Sequence, residues 1–387
     1  MKICLINSLY DPDNRGGAEI AMKMLARDLV ARDHQVTIIT TQSNNFGTGI
    51  YHEKIDKIDV YRLAAGNLCS FSKLSQFGPI LRLFWHFIDQ VNLVNYYRIK
   101  KLLKKLQPDL IWAHNLKGLG YLSTKAYHDH QAKYWQTIHD VQYYDPSGTI
   151  IYQQKKNIFY RFFRWSYWQL NRLILRKPDL LISPSRWLYD FYQSKKLFTK
   201  TVYIVRRNPL SLAKVYDYKN IQEEKLNLLY VGQLEEHKGI RFLIESLSES
   251  EFNWQLNVIG TGSIKKDLVA IGKGNVQFHG QVDNTEIGKY LSSTDVLVMP
   301  TLCYENSPTV ISEAHHNNCL VLASDIGGIS EMITEGNNGW LFEPGNKQDL
   351  LDKLVMIKKT DLISLRQKML KPELAVKDYI DFLLLLD

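Results

Sequence analysis

Short apolar runs alternate with longer amphipathic segments along the whole chain. The short runs are rich in β-branched residues, which favours strands, and the longer segments repeat their apolar residues with the period of a helix. Strands are predicted at Ile3–Ile6, Val36–Thr40, Leu110–Ala113, Tyr134–Ile138, Leu180–Ile182, Val202–Val205, Leu228–Val231, Leu256–Ile259, Val276–Phe278, Val296–Met299 and Leu320–Ala323. Helices are predicted at Ala18–Ala31, Leu93–Leu106, Gly239–Leu247, Asp349–Lys358 and Glu373–Leu385. This alternation predicts an α/β fold with parallel sheets covered on both faces.

Polar and glycine residues follow the predicted strands in both halves of the chain. Examples are His139-Asp140, Gly232 and Gly260-Thr261-Gly262. Ligands of open α/β sheets bind at the edge where the carboxyl ends of the strands meet, so we expect binding residues there. The strand pattern lapses over residues 206–225, which predicts a domain boundary in that segment.

Length and composition exclude several classes of protein. A chain of 387 residues is expected to form two domains, and its 45% hydrophobic content is too high for a disordered protein. The sequence has no apolar stretch long enough to span a membrane and begins directly in a strand, without the layout of a signal peptide. The cysteines show neither zinc-binding nor disulfide-scaffold spacing, which is typical of a reducing, cytoplasmic setting. They are Cys4, Cys69, Cys303 and Cys319.

The charge is unevenly distributed along the chain. The net charge is +8, but residues 1–205 carry +14 and residues 206–387 carry −6. A basic half joined to an acidic half indicates that one half meets an anionic partner, which can be membrane lipid, nucleic acid or a phosphorylated substrate.

Two glutamates eight positions apart give the strongest chemical signal. Glu305 lies in the loop after a predicted strand, and Glu313 lies in the helix that follows. The N–H groups of Thr309 and Val310, at the start of this helix, form an anion site. Glu313 can accept hydrogen bonds from a ribose diol, and Glu305 from a sugar hydroxyl. The alternative is an ordinary helix with acidic residues near its N-terminus.

Three further segments carry weaker signals. Gly232 permits a tight turn after a strand, and Lys238 can place an ammonium against a phosphate. Gly16-Gly17 lets the backbone approach a phosphate or sugar closely. His139 can form a hydrogen bond with a sugar hydroxyl. Each segment has a structural alternative: a solvated lysine, a plain turn and a structural histidine. The Asp-Pro-Asp sequence at 11–13 lacks further ligands nearby, so no metal site is predicted.

Residues 146–178 contain seven basic residues, no acidic ones and a dense run of aromatic residues. On a helix, Arg161, Arg164, Arg172 and Arg176 fall within about 120° of one another. The segment Leu81–Leu106 has a similar composition. Such helices can bind an anionic membrane surface, and the alternative is a helix that packs its aromatic residues inward with its arginines in water.

Taken in order, these motifs resemble the GT-B-fold glycosyltransferases of family 4, a large retaining family that uses nucleotide sugars. The resemblance covers most of the chain, and the glutamate pair is its most specific part. The segments that carry it are Gly16-Gly17, Thr137-Ile138-His139-Asp140, Ser183-Pro184-Ser185, Asn208-Pro209, Gly232 to Gly239, Gly260-Thr261-Gly262, Phe278 to Val282, Glu305 to Ala314 and Gly327 to Glu331.

The resemblance implies two Rossmann-like domains that face each other across a cleft. The N-terminal acceptor domain would comprise residues 1–205 together with a C-terminal helix, 373–387, that crosses back to it. The C-terminal domain, residues 206–372, would bind the nucleotide sugar.

The resemblance also implies roles for individual residues. Glu313 matches the ribose-binding glutamate, Glu305 the glutamate on the transferred sugar, Lys238 a cation on the diphosphate, and His139 the histidine near the sugar. Amides of the helix starts would hold phosphate oxygens, and the backbone near Val282 would meet the base. The further donor-binding positions implied are Gly16, Gly17, Gln233, Asn306, Ser307, Thr309 and Val310.

Three positions depart from the family pattern. Gln233 stands where the family usually has an arginine, which removes one positive charge from the diphosphate site. Asn318 stands where a glycine is common, and asparagine tolerates the left-handed backbone that a glycine would adopt there. Ser330 replaces a common proline.

The function implied is retaining transfer of a hexose from a nucleotide diphosphate sugar to a glycan or lipid-linked acceptor. Uridine diphosphate (UDP) glucose or another UDP-sugar is expected from frequency in the family, in exopolysaccharide or cell-envelope synthesis. No cofactor or metal is required, and no nucleic acid is expected as partner. The location implied is cytoplasmic, with peripheral association on the inner face of an anionic membrane.

Other functions remain open from the sequence. Gln233 favours a catalytically impaired nucleotide-sugar or polyanion binding protein of the same fold. Charge and aromatic content alone suggest nucleic-acid binding, although no known module is present. An epimerase or phosphorylase of the GT-B fold is a related alternative.

Overall fold

The apolar runs form two sheets whose strands are largely buried on both faces. The computed structural model describes residues 1–13, 16–42, 49–210, 216, 225–369 and 375–385. Every strand predicted from the sequence is present, within two residues of its predicted bounds. The α/β prediction is therefore confirmed, and all strand pairs but one are parallel.

The chain divides into two compact units. The first comprises the described residues of Met1–Thr149, Lys155–Pro209 and Val376–Asp387, and the second those of Ile150–Gln154 and Leu210–Ala375. Each unit has its own sheet and its own buried core. Each can therefore be described independently.

The first unit is built on an eight-stranded sheet with the strand order β3-β4-β2-β1-β5-β6-β7-β8. Its strands are β1 (Lys2–Ile6), β2 (Gln35–Thr41), β3 (Ile50–Ile55), β4 (Ile58–Leu63), β5 (Leu110–Ala113), β6 (Lys133–Thr137), β7 (Leu180–Ser183) and β8 (Val202–Val205). Its helices are α1 (Gly17–Ala31), α2 (Pro79–Gln90), α3 (Leu93–Leu106), α4 (Ser123–His128), α5 (Ile158–Ile174), α6 (Arg186–Ser194) and α13 (Val376–Leu384). A 3₁₀ turn covers Phe71–Gln76.

The second unit is built on a six-stranded parallel sheet with the order β11-β10-β9-β12-β13-β14. Its strands are β9 (Leu226–Val231), β10 (Trp254–Ile259), β11 (Val276–Gly280), β12 (Val296–Met299), β13 (Leu320–Ser324) and β14 (Gly339–Phe342). Its helices are α7 (Ile240–Ser248), α8 (Lys265–Ile271), α9 (Asn284–Ser292), α10 (Thr309–His316), α11 (Lys347–Lys358) and α12 (Leu362–Lys368). Two 3₁₀ turns cover Glu236–Lys238 and Lys273–Asn275.

The C-terminal helix packs onto the first unit. Tyr379, Ile380 and Leu383 of α13 are buried in the same core as β1 and α1. Arg32 of α1 forms an ion pair with Asp381, and its guanidinium donates to the Lys377 carbonyl at 3.0 Å. The end of the chain is thus held by both apolar burial and charge.

Three strands escaped the sequence analysis. β3 and β4 form an antiparallel hairpin whose turn, Asp56-Lys57, has positive φ at both residues. β3 is an edge strand with mostly exposed, polar side chains, so it leaves no apolar run in the sequence. β14 is only four residues long and begins at a glycine. Tertiary pairing, more than local pattern, makes these segments strands.

The segment Leu81–Leu106 is not one helix. It is divided into α2 and α3 by a break at Val91-Asn92, where the Asn92 side chain accepts a hydrogen bond from the Asn95 amide at 3.0 Å. Asparagine is a favoured N-cap, so a new helix starts at this point.

The unit boundaries differ from the predicted domain limits of 205 and 373. Arg206 stays with the first unit because its amide donates to the Ser183 carbonyl at 2.9 Å and its guanidinium lies 4.3 Å from the centre of the Phe382 ring. A short excursion belongs to the second unit because the Tyr152 amide donates to the Leu302 carbonyl at 2.7 Å. Residues 370–374 lie outside the described residues.

All four cysteines are buried and free, in agreement with the absence of a disulfide scaffold. Within the described ranges, no helix has both the length and the apolar character needed to cross a bilayer.

Gly239 provides a test of the packing in the second unit. It has φ +73°, and a Cβ at this position would overlap the Pro300 carbonyl oxygen. We expect Gly239→Ala to lower the free energy of unfolding by about 3 kcal/mol, since backbone strain and a steric clash add together. Gly336 has φ +71° but no neighbour within 4 Å, so Gly336→Ala should cost only about 1 kcal/mol. Equal losses for the two variants in urea unfolding would contradict this interpretation.

Candidate active site

The loops after β9, β12 and β13 meet at the carboxyl edge of the second sheet. These strands are neighbours in the sheet, so their following loops converge. The Leu302 amide donates to the His237 carbonyl at 2.9 Å, which ties the loop after β12 to the turn after β9. We call the group formed by Lys238, Glu305, Thr309, Val310 and Glu313 the second-unit cluster.

An ion pair between Lys238 and Glu305 lies at the centre of this cluster. The Lys238 ammonium donates to Glu305 Oε1, and the two side chains are only 24% and 20% exposed. Burial lowers the pKa of Lys238, but the adjacent Glu305 carboxylate outweighs burial, so the pKa lies above its usual value. The sequence placed these two residues 67 positions apart in separate motifs, and the fold brings them into contact.

The backbone of Glu305 is held as firmly as its side chain. Its carbonyl accepts a hydrogen bond from the Gly328 amide at 2.8 Å. Gly327 has φ +64°, and a Cβ there would overlap the Glu305 backbone. Cys303 Sγ lies 3.8 Å from Glu305 Oε1, and burial raises the pKa of this thiol to about 12, so it stays protonated. The Glu305 carboxylate is therefore fixed in position before any ligand binds.

Helix α10 supplies amide groups and a second carboxylate. Among the described residues, the Ile311 amide is the first of this helix with a backbone partner, the Pro308 carbonyl at 3.2 Å. The preceding amides of Thr309 and Val310 are left for an outside acceptor such as a phosphate oxygen. Burial raises the pKa of Glu313 despite a hydrogen bond with Thr309. A half-buried carboxylate of this kind gains from hydroxyl donors.

The other predicted residues of the second unit lie in loops of the same sheet. Asn306 is buried, and Ser307 Oγ lies 3.9 Å from the sulfur of Met332. Gln233 has an exposed side chain, and its carbonyl accepts from the Tyr230 hydroxyl at 2.7 Å. Val282 is partly buried after β11. Asn318 has φ +55°, so the left-handed conformation predicted for it is confirmed.

In the first unit, His139 and His114 form a stacked pair. His114 Nδ1 lies 3.0 Å from His139 Nε2, and the ring centres are 5.3 Å apart. Burial lowers the pKa of His139 to about 4 and that of His114 well below its usual value. Both rings are therefore neutral near pH 7, and one must donate to the other. Together with Asp140 and Lys117, they form what we call the first-unit cluster.

Gly16 and Gly17 lie at the start of α1, after the loop that follows β1. Gly16 is the N-cap residue, and its carbonyl accepts from the Ile20 amide at 3.4 Å. The Ile20 amide is thus the first of this helix with an intrahelical partner, and an anion contact at the preceding amides stays a prediction. Asp11 forms an ion pair with Lys23 at 3.0 Å. The part of the chain that the structure describes contains no cluster of three metal-ligating side chains.

The three arginines of α5 have different environments. Arg161 and Arg172 are exposed, and Arg172 lies 5.4 Å from the centre of the Trp168 ring. Arg164 is half-buried, lies over the Tyr144 ring and pairs with the buried Asp145 at 3.5 Å. On the side of the helix where the arginines were predicted to lie together, Arg161 and Arg172 are therefore solvated, whereas Arg164 holds the protein structure together through Asp145.

Aromatic residues of α5 also face solvent. Phe159, Phe162 and Trp165 are 83%, 68% and 52% exposed, whereas Phe163 and Tyr167 are buried. The alternative in which the helix turns its aromatic residues inward is therefore wrong for three of them. Arg161, Phe162 and Trp165 line a cavity of about 500 Å³ together with Tyr144, Ile158, Arg164 and Trp168.

The sequence analysis missed several residues of these clusters. His114 and Lys117 of the first-unit cluster, and Cys303 beside the second-unit cluster, were not singled out as site residues. His114 carried a usable signal, because it follows β5 as His139 follows β6, and these strands are neighbours. Lys117 carried none, since only the fold brings it next to Asp140. Cys303 lies two positions before Glu305, but a cysteine in that loop carries no signal of its own.

Two family models match the chain in the order of its two units. The model described as "Glycosyltransferase Family 4" matches residues 15–207, and the model described as "Glycosyl transferases group 1" matches residues 225–359. Together they cover most of the chain. The chain belongs to the family 4 glycosyltransferases and has the GT-B fold, as the sequence resemblance predicted.

Individual proteins agree with this assignment. An uncharacterized 42.6 kDa protein in the cps region of Klebsiella pneumoniae is 22% identical over 86% of this chain and 87% of its own length. The capsular polysaccharide biosynthesis glycosyltransferase CapH of Staphylococcus aureus is 29% identical over 36% of this chain and 41% of its own length.

Solved structures show the same fold. Sucrose-phosphate synthase from Thermosynechococcus elongatus superimposes with a TM-score of 0.74 at 19% identity, over 100% of this chain and 98% of that protein. Anabaena Alr3699/HepE in complex with UDP-glucose superimposes with a TM-score of 0.63 at 16% identity, over 98% and 96% of the two chains. The chain is therefore a GT-B glycosyltransferase by family and by fold.

The Lys238–Glu305 pair can be tested by a double-mutant cycle. We expect Lys238→Met to lower the free energy of unfolding by about 2 kcal/mol, because it leaves a largely buried carboxylate without its cation. Adding Glu305→Gln should restore part of this loss. Lys266→Met, which removes an exposed lysine of α8, is the matched control and should change stability little. Additive losses in urea unfolding would show that the two side chains do not interact.

Proposed function

We propose that the protein transfers a hexose from a UDP-sugar to a glycan or lipid-linked acceptor with retention of configuration. The observation that carries the proposal is the second-unit cluster. One sheet edge holds a cation, two carboxylates and the free amides of a helix start. These are the groups that a diphosphate, a ribose and a hexose require.

Each group of the second-unit cluster has a distinct proposed role. Lys238 and the amides of Thr309 and Val310 would stabilise the charge that develops on the departing diphosphate. Glu313 would bind the ribose diol, and Glu305 a hydroxyl of the transferred sugar. The backbone near Val282 would meet the base. Because Glu305 is held by Lys238 and by its own backbone, it needs little reorganisation when the donor binds.

Retention requires that the acceptor attack the face from which the diphosphate leaves. In the proposed mechanism, departure of the diphosphate creates an oxocarbenium-like sugar, and the leaving phosphate accepts the proton of the attacking hydroxyl. No dedicated base is then needed, and the protein contributes position and charge stabilisation. His139, which is neutral at physiological pH, would orient the sugar by hydrogen bonding. The Gly16 amide would contact a phosphate oxygen. We propose that no metal or other cofactor takes part.

The donor and the acceptor are inferred from relatives. The complex of HepE with UDP-glucose, which shares the fold, supports UDP-glucose as the first donor to test. The cps region of Klebsiella pneumoniae and the capsular function of CapH support a role in exopolysaccharide or other cell-envelope synthesis. The net charge of +14 on residues 1–205 favours a phosphorylated, lipid-linked acceptor over a neutral free sugar.

Such an acceptor lies at a membrane, and helix α5 has the features of a membrane-binding surface. Its exposed aromatic residues, Phe159, Phe162 and Trp165, lie beside the solvated cations Arg161 and Arg172. Aromatic and basic residues on one surface bind the interface of an anionic bilayer. We therefore propose peripheral association with the inner face of the cytoplasmic membrane.

A panel of nucleotide sugars tests the enzymatic proposal. We expect one UDP-sugar, UDP-glucose first, to raise the Tm and to be consumed by the wild type. Glu305→Ala should reduce consumption at least 100-fold, because it removes the group that positions the transferred sugar. Glu335→Ala removes an exposed glutamate of the same unit and serves as the control.

The possible outcomes separate the competing functions. Donor binding without any consumption would favour the impaired binding protein that Gln233 suggests. No stabilisation by any nucleotide sugar or nucleoside diphosphate would overturn the donor assignment. Retention is tested separately by determining the anomeric configuration of the product with NMR.

Liposome flotation tests the membrane proposal. We expect the protein to float with phosphatidylglycerol vesicles and not with phosphatidylcholine vesicles. The double variant Arg161→Glu/Arg172→Glu should reduce the bound fraction several-fold, because each basic residue near the surface contributes about 1 kcal/mol. Lys358→Glu/Lys359→Glu makes the same charge change on exposed residues at the C-terminal end of α11 and should leave flotation unchanged. Equal flotation of the first variant and the wild type would show that α5 does not bind lipid.

A further inference from the structure

Lys117 is a buried lysine without a direct partner in the first unit. Lys117 lies in the turn after β5, and only 8% of its surface is exposed. Its ammonium forms no hydrogen bond or ion pair with any residue that the structure describes. The side chain is largely buried, but its ammonium nitrogen is not fully enclosed by the protein. The ammonium can therefore donate hydrogen bonds to an acceptor that arrives from outside the chain.

The surroundings of Lys117 define what this acceptor can be. A methyl group at Gly148 would lie 2.6 Å from Lys117 Nζ and 3.4 Å from Asp140 Oδ2. The ammonium and the carboxylate thus lie on the same side of Gly148, no more than about 6 Å apart but beyond the roughly 4 Å of an ion pair. Burial raises the pKa of the Asp89 carboxyl to about 7, and Lys117 is close enough to offset part of that rise.

The gap between Lys117 and Asp140 matches one hydroxyl group. An ammonium only donates hydrogen bonds, an ionised carboxylate only accepts them, and a hydroxyl does both. Two hydrogen bonds of about 2.8 Å that meet at one oxygen bridge a separation of about 4–6 Å. A phosphate fits less well, because an ionised Asp140 would repel it.

Two features of the loop keep this gap open and fixed. Gly148 has φ +73° and no side chain, so no Cβ of this residue occupies the space beside the ammonium. Asp145 anchors the same loop, since its Oδ1 accepts from the Tyr160 hydroxyl at 2.6 Å and from the Ser147 hydroxyl at 2.7 Å. Asp140 is itself oriented by the Gln142 amide at 2.7 Å. The two groups are therefore preorganised for a ligand.

We infer that Lys117 and Asp140 form a subsite that binds one hydroxyl of the acceptor sugar. The hydroxyl accepts a hydrogen bond from Lys117 Nζ and donates one to Asp140 Oδ2. His139 precedes Asp140 in the chain, so the bound sugar would lie beside the histidine pair. The inference rests on the proposed function, because it names the group that the first unit recognises in the acceptor.

Transfer kinetics with defined acceptors test the subsite. The acceptor panel consists of octyl glycosides of glucose, galactose, mannose and N-acetylglucosamine, with the UDP-sugar that the wild type consumes. For Lys117→Met we expect the acceptor KM to rise about tenfold or more, because a hydrogen bond to a charged group is lost. The slow hydrolysis of the donor by water, which needs no acceptor, should stay within twofold. Asp140→Asn should show the same split.

Matched controls separate recognition from stability. Lys101→Met removes an exposed lysine of α3 and should change neither rate. Circular dichroism and the Tm identify any variant that fails to fold. The deoxy analogue of the acceptor, which lacks the bridging hydroxyl, should lower transfer by the wild type to the level of Lys117→Met and lower that of the variant no further.

The outcomes distinguish this inference from the proposed function. A wild type that consumes no donor overturns the proposed function. A wild type that transfers normally, with Lys117→Met unchanged in acceptor KM or equally impaired in donor hydrolysis, overturns the subsite alone. A wild type that consumes donor but neither transfers to nor is stabilised by any acceptor of the panel also counts against a hydroxyl-binding site.

Discussion

The constraint on which the structure depends is that parallel strands buried on both faces cannot be joined by tight turns. The connections in the second sheet must cross over, four of them through a helix and the one from β13 to β14 through turns. All strands therefore point the same way, and all their following loops meet at one edge. Because strands such as β9 and β12 are buried on both faces, polar groups that can bind a ligand are found in the loops that follow them. The ion pair of Lys238 and Glu305 lies at that edge, where the turn after β9 and the loop after β12 meet.

Within the second-unit cluster, Glu305 is the residue on which the other contacts converge. Its side chain accepts from Lys238, its carbonyl accepts from Gly328, and the absence of a side chain at Gly327 allows that close approach. The protein therefore holds a carboxylate and an ammonium at a fixed separation before a ligand arrives. Preorganised charge of this kind is what a reaction with a departing diphosphate requires.

The first-unit cluster consists mainly of groups whose charge is suppressed by burial. His114 and His139 stack as uncharged rings, and burial raises the pKa of Asp140 above its usual value. Lys117 is the one cation close to them among the described residues of this cluster. A site of this composition recognises hydroxyl groups better than anions, whereas the amide-rich start of α10 has the opposite preference. The two clusters thus suit different parts of a glycosyl transfer.

Much of the fold could be predicted from local patterns, because a strand buried on both faces leaves an uninterrupted apolar run. The hairpin of β3 and β4 could not, since an exposed edge strand has no such run. The same reasoning applies to the site. Glu305, Glu313, Lys238 and His139 were identified because they lie in ordered motifs after strands, whereas Lys117 is significant only through neighbours distant in the sequence.

The sequence by itself determined the class of fold, the family and the residues most able to carry charge at the strand ends. Those properties depend on short-range periodicity and on the order of motifs, and both can be read directly from the sequence. Only the tertiary structure decided which charges are paired, which rings are neutral and which arginines of α5 face solvent. These properties depend on burial and on distances between remote residues, and burial is what sets the cost of leaving a polar group without a partner.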